Sequence, residues 1–466
     1  MNALWTSQDM EAATLGHATR AFEVGGISID TRTLQPGDFF VALKGDARDG
    51  HEFVETALKA GAAAALVAQH PAGFAPDAPL LRVGHTQRAL EDLGRAARAR
   101  SRARIVAITG SAGKTTTKEM LRLALEALGP TSASQASYNN HWGVPLTLAR
   151  MPAGDAFGVF EIGMNHFGEI RALAGFVRPE VAIVTTIAAA HLEFFGNCEA
   201  IADAKSEIFE SLQPGGAAIV PSDNAYTARL VARAKQAHVP RLLTFGNAAG
   251  SSARLLSCAE IAGGMQIDAE ILGRRCRFRL GASGAHLASN ALAALLAVAA
   301  LDGDVLNAAA ALSSFAALKG RGARAAIHAK DGAAELIDES YNANPASVRA
   351  ALAVLGSARP RPSGRRIAVL GDMLELGAES VSLHAGLADA VEASQADLVF
   401  CCGPAMHALF EAIPAARRGA YGKSSAEIAP LVVHALRAGD IVLVKGSFGS
   451  RMAVIVDALK AQGRVA

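Results

Sequence analysis

Apolar positions along the chain fall into short runs separated by segments with helical spacing. The clearest run is Ile105, Val106, Ala107 and Ile108, a buried strand by its length and branching; Gly110 and Gly113 then open a tight turn, and from Lys114 the spacing is helical as far as Gly129-Pro130. Further apolar strands are expected at 157–162, interrupted by one acid, Glu161, and at 181–187, just before Ala188-Ala189-Ala190-His191. Residues 168–177 have helical spacing and stop before Pro179, and another helix is expected to start at Asp203 and run through Lys205 to the break at Pro214-Gly215-Gly216. Such alternation predicts a parallel, doubly wound α/β sheet with ligands at the carboxyl ends of its strands. Residues 253–281 differ: short alternating runs with Gly263-Gly264 and Gly273 predict an antiparallel appendage.

The flanking regions carry their own patterns. Before residue 104, Ile27-Ser28-Ile29 leads into Asp30-Thr31-Arg32, Pro36-Gly37-Asp38 turns into an apolar run at 39–43, and a helical stretch from about Phe53 precedes 62–67. This reads as a small mixed α/β module. Asp30-Thr31-Arg32 and Asp49-Gly50-His51 have the composition that plain turns require, and the residues alone favour turns. The Arg/Ala-rich segment 95–104 reads as a solvated helix face at a domain boundary. After residue 319, apolar strands at 366–370, 398–402 and 441–444 each end in a glycine-bearing turn, which predicts a second parallel α/β domain. Its entry holds Lys319-Gly320-Arg321-Gly322 and a polar stretch from Asp338 to Asn344, best placed on a loop facing a cleft, with Pro345 suited to the next helix's first turn.

Length agrees with this division: 466 residues imply about three domains, expected at 1–103, 104–319 and 320–466. A net charge of +2 is too small for a nucleic-acid or anionic-membrane surface, so an anionic ligand has to be met locally. The five cysteines show no metal-ligand spacing, and a reducing compartment suits them. No basic segment followed by an apolar core opens the chain, and the most apolar window, 291–301, falls short of the roughly 18 residues a membrane span needs. A soluble, cytoplasmic protein is expected.

Chemistry enters with TGSAGKTT. Glycines without side chains let the backbone curl around an anion, and loop N–H groups with the helix N-terminus supply positive potential. Lys114 would reach the β- and γ-phosphates and the Thr115 hydroxyl would ligate Mg²⁺; the match is the shorter GxxGKT form of the phosphate-binding loop. Glu161, in a buried strand, needs a partner, and that Mg²⁺ is the expected one. Taken singly, His191 reads as a structural histidine and Lys205 as a surface lysine. Their joint placement at strand ends beside Glu161 points instead to the phosphate loop, where phosphoryl transfer spreads charge that two metal ions neutralise.

The order of TGSAGKTT, YNNHWGVPLT (138–147), EIGMNHFGEI (161–170), AHLEFFG (190–196), DAKSEIF (203–209), HLASNALAA (286–294), KGRG (319–322), DESYNANP (338–345), GDMLELG (371–377) and VKGS (444–447), with DTR near the start, resembles the Mur ligase family over nearly the whole chain. The resemblance implies a uridine-nucleotide module, a central ATPase domain and a C-terminal dinucleotide-fold domain that closes over them. Tyr-Asn-Ala-Asn-Pro and LGDMLELG resemble the member that adds D-alanyl-D-alanine to UDP-MurNAc-tripeptide through an acyl phosphate, the last cytoplasmic step of the peptidoglycan precursor pentapeptide. It implies ATP, two Mg²⁺ ions and CO₂, held as a carbamate on Lys205. A monomer acting on small molecules, without nucleic acid or membrane insertion, is expected.

Residue by residue, the resemblance gives Lys114 and the loop Gly110, Ser111, Ala112, Gly113, Thr115 and Thr116 the triphosphate, Thr115 and Glu161 one Mg²⁺, and His191 a second. Asn140 falls near the γ-phosphate, Asn290 on the adenine side, and Arg321 on a phosphate. Glu339, Tyr341, Asn342 and Asn344 line the ribose and second-substrate side, with Lys445 supplied by the closing domain. Ser28, Asp30, Thr31, Arg32, Lys44, Asp49 and His51 fall on the uridine-substrate side. Departures from the pattern are Ala112 in the loop, Glu339 where aspartate is usual, and His141-Trp142. Two rivals stay open: another Mur-type ligase or folylpolyglutamate synthase, sharing the ATP site, and a nucleotide-gated binding protein without acyl transfer.

Overall fold

The computed structural model describes residues 3–46, 48–71, 73–135 and 137–462, arranged around three sheets of five, nine and six strands and one short ribbon. The nine-stranded sheet is central. The strand Arg104–Thr109 lies between Val181–Val184 and Phe157–Glu161, all parallel, and beyond them Ala217–Pro221 and Arg241–Gly246 extend one side and Thr131–Ala133 closes the other. Side chains on a strand alternate between faces. Ile105 and Ala107 accordingly join one core with the helix Glu169–Val177, while Val106 and Ile108 join another with the helices Lys114–Glu126 and Ala285–Ala300. Both faces are covered, which explains the unbroken apolar run. Leu121, buried in the second core, contributes on the order of 2–5 kcal/mol by the usual cost of truncating such a residue to alanine.

Two elements differ from the sequence expectation. Residues 253–281 do form antiparallel strands, Ala253–Ile261, Gly264–Ile271 and Arg274–Leu280, but they are no separate appendage: the first pairs in parallel with Arg241–Gly246 and continues the central sheet. The helix expected from Asp203 begins earlier, at Cys198, because the Asn197 side chain accepts the Ala200 N–H and caps it there. Asp203 faces outward instead, holding Arg229 and Arg233 at 2.7–2.8 Å.

The five-stranded sheet of the first unit runs His17–Ala18, Leu80–Arg82, Ala64–Val67, Asp38–Val41, Gly26–Ser28, parallel apart from its first pair. The helix Thr86–Arg100 carries the 95–100 stretch and is only partly solvated: Leu90, Leu93 and Ala97 share a core with Leu146 and Ala149 of the helix Gly143–Arg150. Gly94 permits this approach, since a Cβ there would stand 3.1 Å from Pro145. The third unit has the order Ala323–Ala329, Gly332–Glu339, Ile441–Lys445, Arg366–Gly371, Leu398–Cys402, Arg418–Gly422, parallel after an initial hairpin. Among the described residues no helix is long and apolar enough to cross a membrane.

Candidate active site

Register brings the site's first residues together. Glu161 pairs with Ile108 at the carboxyl end of the central strand, so its side chain emerges beside the glycine loop. Gly110 has φ +150°, and a Cβ there would collide with Thr185 Oγ1; Gly113, at φ +83°, precedes the helix Lys114–Glu126. The loop is fastened from the neighbouring strand end: Ser111 N–H donates to Thr186 O, Ser111 Oγ to Ala188 O, and Thr185 Oγ1 to Ala112 O. Position 112 thus works through its backbone, and alanine suffices.

The Lys114 ammonium folds back onto Gly110 O at 2.7 Å. Burial lowers its pKa; Glu161 opposes that shift and Arg321 adds to it. Thr115 Oγ1 donates to Glu161 Oε2 at 2.8 Å, and the other carboxylate oxygen accepts from Asn139 Nδ2 at 2.8 Å. Lys205 is 1% exposed and has no hydrogen-bond or ion-pair partner among the described residues. Desolvation, then Lys114 nearby, pushes its pKa well below the ordinary lysine value.

The third unit closes the site from above. Asn344 Nδ2 donates to Ser111 O at 3.0 Å, Arg321 Nη2 to Ser137 Oγ at 3.1 Å with its guanidinium 4.1 Å over the Tyr341 ring, and Glu375 reaches His191. Lys445 Nζ bonds Glu339 Oε2 and Asn342 O, so the longer acid at 339 is used to reach that ammonium. Between the units lies a cleft of about 950 Å³. Ser111, Ala112, Gly113, Lys114, Thr116, Glu161, His191, Lys205, Asn290, Arg321, Glu339, Tyr341, Asn342, Asn344 and Lys445 all line it.

Other candidates lie elsewhere. Asn140 is exposed and its Oδ1 accepts the N–H groups of Trp142 and Gly143, closing the turn that leads into the next helix; its neighbour Asn139 faces the cleft. Trp142 packs into the first unit's core rather than the cleft wall. Gly110 and Thr115 lie just behind the lining. Ser28, Asp30, Thr31, Arg32, Lys44, Asp49 and His51 stay in the first unit, away from this cleft. There Asp30 pairs with Arg32, whose guanidinium lowers the Asp30 pKa, and both His51 ring nitrogens are engaged, by Asp49 and by the Ala68 N–H. Sequence reasoning missed Asn139, His286 and Glu375. The HLASNALAA helix held the signal for His286: positions 286 and 290, four apart, share a helix face.

Among the described residues no three His, Cys, Asp or Glu side chains form a metal cluster. The set still suits Mg²⁺, which takes hard oxygen donors, typically one or two carboxylates completed by substrate phosphates and water: Thr115 Oγ1 and Glu161 supply such oxygens beside the loop.

A sheet with a phosphate loop at the carboxyl edge of its parallel strands, roofed by a second α/β domain that reaches into the loop, defines a nucleotide-binding protein whose cleft lies between two domains. Three family models match the chain: Mur ligase family, catalytic domain, over 23–98; Mur ligase middle domain over 108–298; and Mur ligase, glutamate ligase domain over 323–448. The chain belongs to the Mur ligase family of ATP-dependent, amide-bond-forming ligases. Among its relatives, UDP-N-acetylmuramoyl-tripeptide–D-alanyl-D-alanine ligase of Escherichia coli (strain K12) is 36% identical, covering 94% of each chain. The crystal structure of MurF from Acinetobacter baumannii superposes with a TM-score of 0.83 at 31% identity, covering 98% of each chain. MurF ligase from Thermotoga maritima in complex with ADP gives 0.76 at 25% identity, over 94% of this chain and 97% of that one.

Proposed function

We infer that this chain joins D-alanyl-D-alanine to UDP-N-acetylmuramoyl-tripeptide with ATP, in the cytoplasm, as the step that completes the peptidoglycan precursor pentapeptide. The observation that carries the reading is one cleft in which the Lys114 loop faces Asn342, Asn344 and Lys445 from the opposite domain. The E. coli relative, similar over 94% of its length, supplies the substrates by its name. Residues 1–103 hold the uridine nucleotide through Ser28, Asp30, Thr31, Arg32, Lys44, Asp49 and His51, 104–319 hold ATP, and 320–466 close the cleft and bind the dipeptide.

The tripeptide's terminal carboxylate oxygen attacks the γ-phosphorus, the bond to ADP breaks, and an acyl phosphate forms. The dipeptide amine then attacks the acyl carbon, phosphate leaves, and the amine loses a proton. Lys114 and the loop N–H groups hold the transferring phosphoryl as its charge spreads, and Asn290 and Arg321 hold the nucleotide. Thr115, Glu161 and His191 would hold two Mg²⁺ ions, whose charge would neutralise that of the phosphates. Burial that lowers the Lys205 pKa favours the neutral amine over the ammonium, and the neutral amine is the form that adds CO₂ and releases a proton to become an anionic carbamate; this supports Lys205 as the carbamate site.

Mass spectrometry of the product from ATP, D-alanyl-D-alanine and UDP-MurNAc-tripeptide, with diaminopimelate or lysine as third residue, tests the reading. A pentapeptide with stoichiometric ADP is the expected result. Phosphate release that needs neither peptide substrate, or a product formed only with another amine, overturns it.

A further inference from the structure

The segment 371–377, GDMLELG, marks the chain in sequence without a chemical task, and the structure shows it pinned almost residue by residue. Asp372 accepts the Met406 N–H at 2.8 Å, Met373 N–H donates to His384 Nε2 at 2.9 Å, and Leu374 N–H donates to Ser447 Oγ at 2.9 Å. Glu375 then turns left-handed, at φ +63°, and crosses to the central domain. Its carbonyl accepts the Glu193 N–H at 3.1 Å and its carboxylate lies 2.5 Å from His191 Nδ1. His191 is itself left-handed, at φ +60°. Two residues with side chains thus hold a disfavoured backbone region and meet across the domain boundary.

The meeting is selective for one ring nitrogen. His191 Nδ1 is buried and makes no aligned hydrogen bond among the described residues; Glu375 Oε2 approaches it to 2.5 Å. A carboxylate on one imidazole nitrogen favours the proton there, fixes the ring, and leaves the other nitrogen's lone pair available. We propose that Glu375 is a positioning residue for His191: it holds the proton on Nδ1, keeps Nε2 as the acceptor available to the phosphate side of the cleft, and does so only when the third domain is closed. The proposal deepens the ligase reading above and rests on it for the role of His191. Domain closure would then complete the central domain's own site, so that a carboxylate 184 positions along the chain licenses the histidine.

Two variants and one control test this. Glu375→Gly removes the carboxylate while suiting the left-handed backbone, so its thermal midpoint should not fall; Glu375→Gln keeps the shape without the charge; Glu379→Gln neutralises a nearby exposed acid that does not touch His191. Both Glu375 variants should lower kcat about 10–100-fold, and Glu379→Gln should not. The separate readout is ¹⁵N–¹H correlation of the imidazoles in metal-free, substrate-free protein above the histidine titration range, with His191 assigned from the signal lost in His191→Gln. Wild type should show the Nδ1–H tautomer, and Glu375→Gly a shift toward Nε2–H. Unchanged kcat in both Glu375 variants, or an unchanged tautomer in Glu375→Gly, overturns the proposal. If wild type makes no dipeptide-dependent product, the ligase reading fails instead, and the tautomer still decides what Glu375 does to the ring.

Discussion

Asn139 Nδ2 donates to Glu161 Oε1 at 2.8 Å while Thr115 Oγ1 holds Glu161 Oε2, so the buried carboxylate is gripped at both oxygens from two different elements. An acid held this way presents its remaining lone pairs in one direction. Asn139→Ala should reduce kcat or Mg²⁺ affinity about 10–100-fold, as loss of a ligand-orienting partner does. Asn140→Ala should instead cost about 1 kcal/mol of stability through the lost turn hydrogen bonds, with a smaller effect on turnover. Thermal melts and Mg²⁺ titrations of the two variants separate these roles, and equal losses of turnover would refute the assignment.

Lys205 is 1% exposed, and desolvation there disfavours an ammonium. Lys205→Ala should abolish most turnover and Lys205→Arg should not restore it, since a guanidinium cannot add CO₂ and stays charged. Added acetate or formate should partly rescue the alanine variant by placing an anion in the vacated space. Full activity in either variant would sink the carbamate.

Asn344 serves two masters. Its Oδ1 accepts the Ser347 N–H and caps the helix Pro345–Ser357, and its Nδ2 clasps Ser111 O in the phosphate loop. Asn344→Asp keeps the cap but sets a carboxylate oxygen against Ser111 O, so stability should fall by about 1–3 kcal/mol as the loop contact goes. Small-angle scattering should then report a more open average shape than wild type, and KM for ATP should rise. An unchanged scattering profile with unchanged KM would show that the clasp does not hold the domains together.

His384 gives the turn before Glu375 a pH dependence. It is fully buried; Nε2 accepts the Met373 N–H and Nδ1 therefore donates to Ser380 O. Desolvation lowers its pKa, against smaller opposing effects from Ser380 O and Asp372. With the folded value depressed, the unfolded chain takes up the proton first. The contribution is complete above the ordinary histidine pKa of about 6.5 and is lost as pH falls below it. Wild type should lose stability from pH 7.5 to pH 5 more steeply than His384→Gln, by about 0.5–1.5 kcal/mol, the worth of the Met373 bond. Parallel urea midpoints at both pH values for the two proteins would contradict this.

Much of the architecture was written locally. A run of four apolar residues, a glycine turn and a helix start specify strand 104–109, its loop and the helix from Lys114, because each depends on near neighbours: β-branching, freedom at φ, and a helix N-terminus with spare N–H groups. The alternation of such units foretold parallel sheets, and the carboxyl-end rule placed Glu161, His191 and Lys205 on one cleft. The three hairpin strands from 253 to 280 were legible as strands but not as part of the central sheet, since an edge pairing with 241–246 leaves no mark in hydrophobic period.

Choosing between neighbours was beyond the sequence. Asn139 and Asn140 are chemically identical, and only the chain path decides which amide meets Glu161 and which closes the turn before a helix. The isolation of Lys205 and the reach of Glu375 to His191 were likewise settled by distant packing. Local preferences act through bonds and near neighbours and survive in one dimension. Side-chain direction, desolvation and contacts between domains depend on which remote surfaces the folded chain brings within a few ångströms, and those exist only once it has closed.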